Sequence, residues 1–127
     1  MKIITARSPE AIRYISPHII PDGDYSKEDF EALLRNILVN NPDKIFLPLA
    51  FDGDNLVAFL VALAEESKGH VWILQAWTDP KLEDKRVKNT LFIKLILWTL
   101  AKGRRSIRGE TQRKTGPFLR AWKFKPF

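Results

Sequence analysis

Three apolar runs follow one another between residues 44 and 78, and they limit the possible folds more than any other feature of the chain. "KIFLPLAF", "LVAFLVALAE" and "HVWILQAWT" are each of strand length, and only "DGDN" and "EESKG" separate them. Connections this short join antiparallel neighbours, and Asp52-Gly53 supplies the chemistry of a hairpin turn. None of the three alternates polar with apolar residues, so each needs cover on both faces. That calls for helices on either side of one sheet. Pro48 has no N–H to give to a ladder, and its place inside the first run predicts a bulge or an edge position.

The flanking segments supply the helices. "KIITAR" reads as a short first strand. In "SPEAIRYI", Ser8 is placed as a helix N-cap and Pro9 sits at the first helical position, where its missing N–H costs nothing. "SPHIIPDGD" reads as a loop. "SKEDFEALLRNILVNN" is a helix capped by Ser26, with Asp29 three residues on and Phe30, Leu33, Leu34, Ile37 and Leu38 along one stripe; Pro42 marks its end. "VKNTLFIKLILWTLAKG" is a longer helix closed by Gly103. Leu91, Phe92, Leu95, Ile96, Trp98 and Leu100 leave it only a thin polar stripe near Thr90 and Lys94, so it is either deeply packed or part of an interface. "SIRGETQR" is a further strand, "KTGPFLRAWK" a short helix and "FKPF" the start of a last strand.

A chain of 127 residues with 45% apolar and 28% charged residues is one globular domain. It has no cysteine, which excludes disulfides and a thiol nucleophile. The start "MKIITARSPE" lacks the apolar core of a secretion signal, and Lys94 interrupts the longest apolar stretch. The expectation is a soluble, cytoplasmic protein with no membrane contact. The net charge of +6 is unevenly spread. Residues 1–80 carry 7 Lys/Arg against 12 Asp/Glu (net −5), and residues 81–127 carry 14 against 3 (net +11). Such a basic half either attracts phosphates, nucleic acid or an acidic partner, or is simply a solvated surface.

The order strand, helix, helix, three antiparallel strands, long helix, strand, helix, strand resembles the GNAT superfamily of acyl-CoA-dependent N-acyltransferases. The fold class this implies is α/β (α+β): a mixed, mostly antiparallel sheet with helices on both faces, lacking the last one or two strands. In that family a strand ends in V-x-P, and R/Q-x-x-G-x-G/A then opens the long helix. Its unpaired amides and dipole meet the CoA pyrophosphate there. Here Thr78-Asp79-Pro80 stands at V-x-P and Glu83 at the R/Q position. Arg86 and Lys88 stand at the two glycines, with Val87 between them. A second family motif, A-x-x-L-Y-x-K-x-G-F after an Asn, places Gln112 at the Asn, Leu119 at the Tyr and Phe124 at the Phe. That Tyr protonates the departing thiolate, which leucine cannot do. In size and layout the chain is also similar to short GNAT-like proteins encoded by tailed phages, which implies host cytoplasm or virion.

What the resemblance implies for the site is residue-specific. Acetyl-CoA, if bound, meets the strand edge at Gln75, Ala76, Trp77 and Thr78, the helix start at Arg86, Val87, Lys88 and Asn89, and Gln112. Glu110 is the candidate base, with Asp79 and His70 behind it; flanked by Arg108 and Arg113, it suits a structural ion pair better. His18 and His70 form no metal-ligand spacing with carboxylates, and no metal is expected. Two function classes stand, and the missing glycines, tyrosine and last strands favour the second. One is an N-acyltransferase with an atypical pyrophosphate loop. The other is a GNAT-fold binding module that has lost standard acetyl transfer. The second would use Arg104, Arg105, Arg108, Arg113, Lys114, Arg120, Lys123 and Lys125, among aromatics, to meet nucleic acid. Its open sheet edge, or a surface near Trp98, would take a protein partner or a second copy in a homo-oligomer.

Overall fold

The computed structural model describes residues 1–20, 26–64, 69–82 and 86–109. They form β1 (Lys2–Thr5), α1 (Ile12–Ile15), α2 (Lys27–Asn40), β2 (Ile45–Phe46), β3 (Pro48–Asp52), β4 (Asn55–Ala64), β5 (His70–Thr78), α3 (Arg86–Ala101) and β6 (Ser106–Gly109). The sheet runs β1-β3-β4-β5-β6, with β2 also on β4. All pairs are antiparallel except β5–β6, the pair that α3 connects.

β4 shows why helices sit on both sides. Its Phe59 and Val61 join Ile12 and Ile15 of α1 and Phe30, Leu34 and Leu38 of α2. Its Ala58, Leu60, Ala62 and Ala64 join Val87, Leu91 and Leu95 of α3, with Val71 and Ile73 of β5 and Ile107 of β6. Alternation along one strand feeds two cores, and three alanines on one face give α3 a shallow bed. Each large aliphatic side chain buried this way contributes roughly 1.5–3 kcal/mol over its exposed state.

Local details confirm some expectations and correct others. Ser26 caps α2, its Oγ accepting the Asp29 N–H at 3.1 Å. Gly103, at φ +73°, ends α3: its N–H reaches the Leu100 carbonyl at 2.9 Å and that of Arg104 reaches Thr99 at 3.0 Å, a Schellman closure. Gly53, at φ +62°, makes the β3–β4 turn, flanked by the pair Asp52↔Asn55. Ser8, by contrast, makes no cap bond to the backbone. Its hydroxyl donates to Glu10 Oε2 at 3.3 Å, and Pro9–Ala11 is a 3-10 turn that runs into the single α-turn of α1. Within the expected loop, Ser16–His18 is also a 3-10 turn.

Pro48 takes neither a bulge nor an edge. β2 and β3 keep one register along β4 across it, and the bulge falls at Ala50/Phe51. The proline stands at the first position of β3, between β1 and β4, where the strand is already broken. The Leu47 carbonyl just before it is taken by Ala6 N–H at 2.8 Å. A missing donor costs least at such a break.

α3 is packed on one side and open on the other. Val87, Leu91, Leu95 and Thr99 are buried, whereas Ile93, Leu97 and Leu100 are 56%, 62% and 48% exposed. Trp98 stacks on Phe46 (centroids 5.4 Å apart) beneath the Lys102 ammonium, at the rim of the core, so the open apolar surface of this helix lies elsewhere than at Trp98. Among the described residues no helix is long and apolar enough to cross a membrane.

Candidate active site

β5 carries the features from which a site can be built. Opposite β4 its register shifts between Val61↔Gln75 and Ala62↔Ile73, leaving Leu74 as an extra residue. On its other side the parallel pairing with β6 is described from His70↔Ser106 to Ile73↔Gly109. Gln75, Ala76, Trp77 and Thr78 lie past that pairing, on the last part of the strand.

Gln75 is buried, and its Nε2 donates to the Ile20 carbonyl at 2.8 Å. This ties the segment after α1 to the sheet. Two residues on, along the same face of the strand, Trp77 meets that same segment. His18 stacks on it with ring centroids 3.7 Å apart and planes 15° from parallel, while Phe59 lies 6.1 Å away. The strand then turns. Asp79 N–H reaches the Val57 carbonyl at 2.8 Å, Asp79 Oδ1 accepts the Lys81 N–H at 2.9 Å, and Leu82 N–H closes on the Asp79 carbonyl at 2.9 Å. The Asp79 carboxylate therefore holds a turn as well as facing a cleft.

That cleft has a volume of about 720 Å³. Its walls are Arg13, Tyr14 and His18 on the α1 side, Asp52, Asp54 and Asn55 of the hairpin, and Trp77, Asp79, Lys81 and Leu82. Arg13 Nη2 donates to the Tyr14 hydroxyl at 2.8 Å, and the Tyr14 ring sits edge-on to Phe51 at 5.4 Å, which fixes that wall. The lining pairs aromatic surface with carboxylates and cations, as small-molecule sites do.

Beyond Leu82 the chain reaches the first turn of α3 at Arg86, four residues later. Val87 is buried there, Lys88 is half-buried, and Arg86 is exposed. Helical spacing accounts for this: Val87 and Lys88 turn toward the sheet and Arg86 away from it. Thr90 Oγ1 donates back to the Arg86 carbonyl at 2.7 Å, so the turn is regular helix. Neither Arg86 nor Lys88 is without a partner.

Of the residues singled out by sequence, Gln75–Thr78 and Arg86–Asn89 thus lie on consecutive elements, joined through the turn at Asp79. Arg104 and Arg105 lie at the other end of β5, beside the pair His70↔Ser106, and Arg108 pairs opposite Trp72. They are not part of the cleft. His70 stands edge-on to Trp72 at 4.7 Å at that same far end, which separates it from the cleft as a base. Glu83 and the positions Glu110, Gln112, Arg113, Lys114, Leu119, Arg120, Lys123 and Lys125 lie outside the described residues. Arg13, Tyr14, His18 and the hairpin acids were not legible as a site. No local motif links residue 18 to residue 77; only the topology does.

No protein-family model matches the sequence, and no curated protein does. Solved structures do match. The aminoglycoside 6'-N-acetyltransferase AAC(6')-IG of Acinetobacter haemolyticus aligns with a TM-score of 0.76 at 14% identity, over 98% of this chain and 91% of that one. The PaiA N-acetyltransferase of Thermoplasma acidophilum, in complex with coenzyme A, aligns at 0.70 with 18% identity, over 96% and 87%. An acetyltransferase assigned to the GNAT family from Desulfovibrio desulfuricans aligns at 0.70 with 14% identity, over 95% and 80%. The chain has the GNAT fold. At such identities the likeness is one of backbone architecture.

Proposed function

We propose that this GNAT-fold chain is an acyl-CoA-dependent N-acyltransferase with an altered cofactor contact, and that the cleft receives the amine. The observation that carries this is the continuity of one segment. Trp77, Asp79, Lys81 and Leu82 line the cleft, and the same stretch leads directly into the helix start that the fold uses for anions. Arg86 and Lys88 add positive side chains to a helix N-terminus whose dipole already favours an anion. Lys88, on the sheet side of that turn, and Arg86 would hold the pyrophosphate through side chains where glycines would offer backbone alone.

Acyl-CoA brings a thioester, whose carbonyl carbon the amine attacks as the C–S bond breaks. The chain's part is to orient and to polarise. The β5 amides near Gln75–Thr78 are the donors for the carbonyl oxygen. Asp52, Asp54 and Asp79 favour a cationic amine approaching the cleft, and the His18–Trp77 pair is its apolar floor. The cationic amine gives one proton to water before its lone pair can attack; with leucine at position 119, the departing thiolate then takes the second, directly or through water.

A thiol-release assay with acetyl-CoA and a panel of small amines tests this. Amine-dependent release of CoA is expected, with Trp77→Ala lowering kcat/KM by about tenfold or more. Absence of release with every amine, at saturating acetyl-CoA, would contradict it.

A second reading rests on a different observation: residues 86–109 carry seven Lys/Arg and no Asp/Glu. On that reading the chain no longer performs standard acetyl transfer and serves as a basic binding module for a protein or nucleic acid. Thiol release would then be absent, and the protein would instead retain a polyanion with a steep salt dependence.

A further inference from the structure

We infer that the outer face of α3 is a docking surface for an acidic amphipathic helix of a partner protein. The inference is independent of acyl transfer. Ile93, Leu97 and Leu100 are spaced by four and three residues and fall within one narrow sector of the helix, opposite Leu91 and Leu95, which face the sheet. All three are large and about half exposed or more, while α3 spends its remaining large apolar residues on the core.

The spacing decides what kind of partner fits. Steps of four and three are those of d, a and d positions in a heptad, the seam one helix presents to another. A helix lying on a lipid surface shows a broader apolar face and a strongly polar opposite one, whereas the opposite side of α3 is buried against the sheet.

The charge decides the sign of that partner. Lys94 flanks the seam at an e position and Arg105 follows beyond its end; both are exposed. No carboxylate occurs in residues 86–109, so α3 itself carries none to balance them. A second copy presenting its own α3 would set cations against cations. A partner helix with leucine at a and d and glutamate at e and g meets both the seam and the charge.

The test uses the full chain and a dye-labelled synthetic helix of three heptads with that leucine and glutamate pattern, titrated by fluorescence anisotropy. Saturable binding that weakens with salt is expected. Leu97→Glu should weaken it about tenfold or more, and Leu33→Glu, an exposed leucine on α2, should leave it unchanged. Circular dichroism of both variants confirms that the fold is kept. Three outcomes would overturn the proposal: no saturable binding at low salt, equal binding of a lysine-flanked version of the peptide, or indifference to Leu97→Glu. So would a Leu97-dependent self-association in analytical ultracentrifugation, or a Leu97-dependent attachment to phosphatidylserine vesicles without peptide binding.

Discussion

Gln75 is a buried polar residue in a mostly apolar strand, and its side-chain hydrogen bond to the Ile20 carbonyl joins two elements far apart in sequence. Replacing it with leucine removes the donor and leaves that carbonyl to be desolvated alone. Gln75→Leu is expected to cost about 1–3 kcal/mol in urea unfolding. Because the bond also anchors the segment that carries His18, the same variant should reduce ligand binding in the cleft. Asp79 is a contrasting case. Its carboxylate faces the cleft, yet Oδ1 is already engaged with the Lys81 N–H. Asp79→Asn keeps an acceptor for that turn and removes only the charge. An unchanged unfolding midpoint with weaker amine binding, read by calorimetry, is the expected pair of results; a large loss of stability would mean that the charge serves the fold.

At the scale of elements, capping was the most legible feature where the cap is a local event. Ser26 with Asp29 three residues on, and Gly103 after the last apolar turn, could be placed from spacing alone. Ser26→Ala should therefore cost about 1 kcal/mol, measured by thermal or urea unfolding. Ser8 had the same local signature and fails to cap, because the chain after Pro9 winds first into a 3-10 turn. Pro48 was misplaced for a related reason. A sequence shows that a donor is missing, but not that the strand breaks at that residue while its register continues. For α3, apolar content predicted either deep packing or an interface, and the helix packs on one face only. One face is core; the other presents Ile93, Leu97 and Leu100 to solvent. Residue periodicity could not tell these faces apart, since both are apolar.

For the molecule as a whole, the layers and strand order were legible because three doubly apolar strands need cover on two sides, and the chain has helices before and after them. The cleft was not, because it is assembled from α1, a hairpin turn and the end of β5, none of which has a motif of its own. The charge asymmetry was visible as a count, but only the fold separates its parts. Arg86 and Lys88 stand at the helix start that follows the cleft, whereas Arg104 and Arg105 lie at the far end of β5. If the first pair serves an anion, Arg86→Glu combined with Lys88→Glu should weaken acetyl-CoA binding by about tenfold or more, and Arg105→Glu should not. The central claim is that this altered helix start still holds acyl-CoA, and calorimetric titration of the purified chain with acetyl-CoA, at low and at physiological salt, tests it most directly. Saturable binding at physiological salt, abolished by the double charge reversal, is the predicted result; no heat of binding at either salt, or binding confined to low salt, would contradict it.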